Sequence, residues 1–189
     1  MEGRFLDKVF GAFELDLPRE IETMDAALKF ILPRVQPWSE DLRETKFWLG
    51  KRWLEIPNVR DNRFEQGTDA WAKRFINIFM DGNEHLVIDN GVVAKKVWRV
   101  LGNALILDEG KNTILYDLQF LNDTFMVLKQ NGTDRYFVLG AEKFVEKIKF
   151  DWRPAMEELF NVYRNNSKFS LWVMALITLV VLFLVYLYS

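Results

Sequence analysis

Cysteine is absent from the 189 residues, and His85 is the only histidine. That excludes disulfides, thiol nucleophiles, Cys/His zinc sites and most histidine-based triads. The serines are Ser39, Ser167, Ser170 and Ser189, none in a Gly-x-Ser-x-Gly setting. No Walker motif and no Gly-x-Gly-x-x-Gly occurs. Of the acidic pairs, Asp108-Glu109 falls in a turn and Glu157-Glu158 on a helix, so neither reads as a general acid/base pair. His85 follows a turn at a strand start, which predicts an exposed or capping role. The chain is therefore read as a non-enzyme that needs no cofactor and no metal. An excess of one charge is also missing. Lys and Arg number 25 against 27 Asp and Glu, a net −2, which gives no general attraction for nucleic acid. The basic residues Lys143, Lys147, Lys149 and Arg153 alternate with Glu142, Glu146 and Asp151, the pattern of a solvated helix face.

What is present in quantity is apolar, and its densest run is at the C-terminus. From Phe169 to Tyr188 there is no charge, proline or glycine. As a helix this run spans about 30 Å, the thickness of a bilayer's hydrocarbon core. Phe169, Trp172, Tyr186 and Tyr188 stand at its two edges, as interfacial aromatics do. The stretch 169–189 is thus predicted to be a single transmembrane tail anchor. Lys149, Arg153, Arg164 and Lys168 precede it and no basic residue follows, so the preceding domain is expected in the cytoplasm, with the C-terminus on the opposite side. The first residues, Met1 to Lys8, lack the apolar core of a signal peptide.

Upstream, 16 Phe and 7 Trp supply ample core for one domain. Residues 1–38 read as a helical extension. Phe5, Leu6, Val9, Phe10 and Phe13 form one helical stripe and are expected to contact a partner. A second helix is predicted from Pro18 to about Leu32, buried through Ile21, Met24, Leu28 and Ile31 and ended by Pro33 and Pro37. Residues 141–168 read as juxtamembrane helices, first with the stripe Phe144, Val145 and Ile148, and from Pro154 with Met156, Leu159, Phe160 and Tyr163.

Between these, from 46 to 140, the period is two. Strands are predicted at about 47–56, 73–80, 85–90, 92–101, 104–108, 113–121, 124–129 and 134–139. Short links such as Asn90-Gly91, Gly102-Asn103 and Asn131-Gly132 make successive strands antiparallel neighbours. An eight-strand meander removes its bare edges by closing into an up-and-down barrel. Alternation places Trp53, Phe75, Phe79, Trp98, Tyr116, Phe120, Phe125 and Tyr136 on one face. Lys96 falls on the face of Val92, Ala94, Trp98 and Val100. A bulge at Lys95-Lys96 that turns the charge outward is the expectation; the alternative is a lysine aimed inward at an anionic group. The loop 57–70 is the longest irregular piece.

The strand sequences Leu49-Gly50-Lys51-Arg52-Trp53-Leu54-Glu55, Ala104-Leu105-Ile106-Leu107-Asp108, Thr113 to Leu121 and Thr124 to Lys129 resemble the short lipocalin-like domains common in bacteria, particularly the Bacteroidota. The resemblance covers residues 47–139 and implies a small closed barrel, often with an apolar interior. That family carries Gly-x-Trp near its start, placing the Trp across the closed end. Here the spacing is Gly-x-x-Trp, so Trp53 and Trp48 both stand as candidates. The expected function is that of a tail-anchored adaptor: an accessory subunit of a larger membrane complex, held to the bilayer through residues 169–188 and contacting other subunits. The alternative is a membrane-anchored sensor or effector that binds a small apolar or anionic ligand in the barrel, with Lys96, Trp98, Arg99 and Tyr116 as its contacts.

Overall fold

In the computed structural model the described residues are 17–18, 20–57, 75–108, 110, 112–166 and 179. Eight strands follow one another in sequence: β1 (Arg52–Glu55), β2 (Ile76–Met80), β3 (Glu84–Asp89), β4 (Val92–Leu101), β5 (Ala104–Asp108), β6 (Thr113–Leu121), β7 (Phe125–Gln130) and β8 (Tyr136–Ala141). Each pairs antiparallel with the next, and β8 returns to β1, which makes a closed up-and-down barrel. The turn chemistry does what its residues allow. Asn90 and Gly91 both take positive φ, 48° and 83°, the condition for the tight turn joining β3 to β4.

The strand bounds follow the alternation closely except at the start and in β8, which runs two residues later than the expected 134–139. Residues 45–47 form a 3-10 turn rather than the first turn of β1, and Gly50 at φ 68° swings the chain into the strand. The segment 39–50 closes one end of the barrel. Trp48 Nε1 donates to the Leu42 carbonyl at 2.9 Å, and Trp53 Nε1 donates to the Trp48 carbonyl at 3.0 Å. Both indoles are buried, Trp53 inside the barrel from β1 and Trp48 across its closed end.

Helix α1 (Met24–Val35) begins later than predicted, because Thr23 Oγ1 accepts the Ala26 N–H and caps it there. It also passes through Pro33 instead of stopping. Pro33 lies in the last turn, so its missing donor removes only the bond that would reach the Lys29 carbonyl. Helix α2 (Glu142–Lys147) stops where Lys149 and Phe150 take positive φ, 56° and 60°. Residues 152–166, here α3, are helical throughout. Among the described residues no helix is long and apolar enough to cross a membrane. Of the stretch 169–189 only Leu179 is described, and it is helical and exposed. Phe169, Trp172, Tyr186 and Tyr188, and the stripe Phe5, Leu6, Val9, Phe10 and Phe13, lie outside the described residues.

Two cores result, one on each side of the sheet. The inner one holds Trp48, Trp53, Phe79, Trp98, Leu105, Leu118, Met126 and Leu139. The outer one lies between the barrel wall and the helices: Leu54, Ile56, Phe120, Phe125, Val127 and Val138 pack against Leu28, Ile31, Met156, Leu159 and Phe160. Strand β7 is therefore buried on both faces. This corrects the expectation of one aromatic face. Trp53, Phe79, Trp98 and Tyr116 belong to the inner core, but Phe120, Phe125 and Tyr136 belong to the outer one. The register shifts between Leu118 and Phe120 relative to β7, and that irregularity sends Phe120 outward.

Candidate functional site at the barrel mouth

An up-and-down barrel collects alternate turns at each end. The links β2–β3, β4–β5 and β6–β7 lie at the end closed by 39–50, so the links β1–β2, β3–β4, β5–β6 and β7–β8 belong to the opposite end, the mouth; of the β1–β2 link, residues 58–74 lie outside the described residues. Burial along the inner face changes between the two. The floor, with Trp48, Trp53, Phe79, Leu105, Leu121, Met126 and Leu139, is fully buried. Towards the mouth, Glu55, Val87, Asp89, Lys96, Ile114, Tyr116 and Phe137 are only part-buried. Solvent thus reaches down the inner wall as far as these side chains, and the floor beneath them is dry.

The part-buried level is polar on one side. Pairing in β3–β4 runs without interruption from Asp89↔Val92 to Glu84↔Val97. The bulge expected at Lys95-Lys96 is therefore absent, and strict alternation keeps Lys96 on the face of Trp98. Lys95 points outward, where it pairs with Glu84. Lys96 is the cross-strand partner of His85, and His85 of Phe79. His85 is not exposed as expected. It is 2 % exposed and stacks on the Phe79 ring at 4.5 Å and 9°. Its Nε2 lies 2.9 Å from the Asn77 carbonyl oxygen, and the Asn77 amide nitrogen donates to the Phe75 carbonyl at 3.4 Å. Those two contacts orient the amide so that the histidine Nε2–H donates to it. Asn77 is itself 3 % exposed. Glu55 shares the inner face because its partner Leu139 is an inner-core residue.

At the rim stands Asp89, immediately before the Asn90-Gly91 turn. Its Oδ1 is buried and has no hydrogen-bond partner among the described residues. A buried acceptor without a donor costs about 1–3 kcal/mol, more when charged, so the position is expensive. Tyr116 lies opposite, with its ring 5.8 Å from that of Phe137. Of the four residues expected to contact a ligand, Lys96 and Tyr116 thus stand at the mouth. Trp98 lies deeper, buried, with its Nε1 donating to the Met80 carbonyl at 3.1 Å. Arg99 is on the outer surface and exposed. Glu55, Asn77, His85 and Asp89 were not singled out as site residues. Their alternation with outward neighbours was visible in the sequence, but nothing local marked which face was inner.

The chain shows no significant match to any family model, to any curated protein or to any solved structure.

Proposed function

We propose that this chain is a non-enzymatic, membrane-tethered binding module: a cytoplasmic lipocalin-like barrel on a C-terminal tail anchor, taking a small amphipathic ligand at its mouth. The observation that carries the reading is the buried Asp89 oxygen at the rim of a part-open, polar-sided mouth above a dry floor. Among the described residues the Asp89 oxygen at this level lacks a donor, so its complement is a ligand head that donates a hydrogen bond, an ammonium or another N–H group. Ile114, Tyr116 and Phe137 offer the apolar side of the same level. The tether is supported by the uncharged run 169–188 and by the basic residues that precede it.

Titrating the full chain in mild detergent with phenethylamine and with 3-phenylpropionate, read by tryptophan fluorescence, tests this. The amine is expected to saturate and the carboxylate not to. Asp89→Asn should weaken the amine at least about tenfold, the scale of one charge-assisted hydrogen bond. If neither compound saturates, the ligand reading fails. The adaptor reading then gains. It is favoured separately by Val93 and Val97, which stand exposed on the outer face of β4, where none of the described helices covers them. Val97→Asp would then release a co-purifying subunit.

A further inference from the structure

The closed end of the barrel carries an apolar rim. Met80 is the last residue of β2 and Leu101 the last of β4, and both strands end there. Trp38 joins them through the chain. It precedes Ser39, whose hydroxyl accepts the Leu121 N–H at 3.0 Å, while the Glu40 N–H donates to the Leu121 carbonyl at 2.8 Å. Leu121 ends β6, so topology alone brings Trp38, Met80 and Leu101 to one end. Their exposures are 36 %, 40 % and 66 %.

The same end receives the last turns of α3. The Tyr163 ring lies 6.0 Å from that of Trp38, at 54°. The described part of α3 ends at 166, three residues before Phe169. Even fully extended, three residues reach only about 10 Å. Whatever receives Phe169 therefore lies within about 10 Å of the C-terminal end of α3, beside this rim.

We infer that the closed end rests on the bilayer surface, with Trp38, Met80 and Leu101 at headgroup level and the mouth turned to the aqueous phase. The inference rests on reading 169–188 as a membrane span. Three features favour a bilayer over a protein here. The tether is too short to hold this end away from the membrane. An indole half-buried beside an apolar rim suits the interface, where one side is wet. The basic side chains Arg43, Lys46 and Lys51 of this end each pair with an acid, Asp41 at 2.9 Å, Glu44 at 3.5 Å and Asp123 at 2.7 Å, while Glu40 and Asp81 add negative charge. Those basic side chains are already engaged, so they call for no anionic lipid and neutral vesicles suffice. In this pose the mouth faces away from the bilayer.

The absence of cysteine makes a direct test possible, because one substitution gives one label. Met80→Cys and Leu101→Cys mark the closed end, and Val92→Cys marks the exposed start of β4 at the mouth. Each full-length protein carries an environment-sensitive NBD label and is reconstituted in phosphatidylcholine vesicles containing a doxyl-lipid quencher. Labels at 80 and 101 are expected to be blue-shifted and quenched by the lipid, and the label at 92 to stay water-like and unquenched. All three sites are surface positions, and an unchanged tryptophan melting curve confirms folding for each. Vesicle-bound protein with water-like labels at 80 and 101 overturns the docking but leaves the anchor. Blue-shifted labels that the doxyl lipid does not quench mean that a second copy covers the rim, and also overturn it. Quenching at 92 alone reverses the orientation. Protein that fails to float with vesicles at all removes the anchor reading itself.

Discussion

Gly140 sits where helix α2 and the barrel wall come closest, and replacing it by alanine should be costly in a specific way. It pairs with Leu54 of β1 on one side and Phe125 of β7 on the other. A Cβ added there would lie 2.5 Å from Val145 Cγ2 and 3.2 Å from Ile56 Cδ1. Val145 is fully buried and β-branched, so its methyl has nowhere to rotate without moving the helix. Overpacking of this kind costs about 1–3 kcal/mol. Against it, alanine stiffens the unfolded chain by about 0.4–1 kcal/mol, since Gly140 is not among the residues with positive φ. The net expectation is a loss of about 1–2 kcal/mol, which for a domain of this size lowers the melting temperature by about 2–8 °C. Thermal unfolding of the full chain, followed by tryptophan fluorescence, measures it. The decisive control is Val145→Ala. Alone it opens a cavity and destabilises, but combined with Gly140→Ala it removes the clash, so the double variant should be less destabilised than the sum of the two. Additivity within about 0.5 kcal/mol would show that the two side chains do not meet, and the packing of α2 on β8 would be wrong.

Trp53→Ala should cost about 3–5 kcal/mol in urea unfolding, because the ring is wholly inside the barrel and its N–H secures the closing segment; a loss below about 1 kcal/mol would place the ring outside. The Asp134 carboxyl is held below its ordinary 3.8 first by its hydrogen bond from Lys129 and then by the charge of Lys29, which links α1 to the β7–β8 turn. A lowered folded value means stabilisation that is complete above the unfolded pKa and lost as pH falls through the folded one. Asp134→Asn should therefore lower the melting temperature slightly at pH 7, with the difference shrinking as pH falls below the ordinary carboxylate range, and high salt should shrink it too; a gap that persists undiminished in strong acid would deny the ion pairs any part in it.

The sequence by itself determined the meander. Period-two alternation is a property of each strand alone, and turns such as Asn90-Gly91 encode their geometry in one or two residues, so strand number, order and pairing were all legible locally. Closure followed from the need to remove two bare edges. The charge-free run 169–188 was equally plain, and the proposal of a membrane anchor rests on it alone. The tertiary structure decided which side of the wall each residue faces. Alternation divides a strand into two faces but does not say which is inner, and here both are apolar over β7 because helices clothe half of the barrel. The register shift after Leu118 reversed Phe120, and the uninterrupted β3–β4 ladder turned Lys96 inward, where a local reading preferred a bulge. The site was hidden for the same reason. Glu55, Asn77, His85 and Asp89 come from the neighbouring strands β1, β2 and β3, and only the register between those strands and the side that faces the barrel interior bring them together.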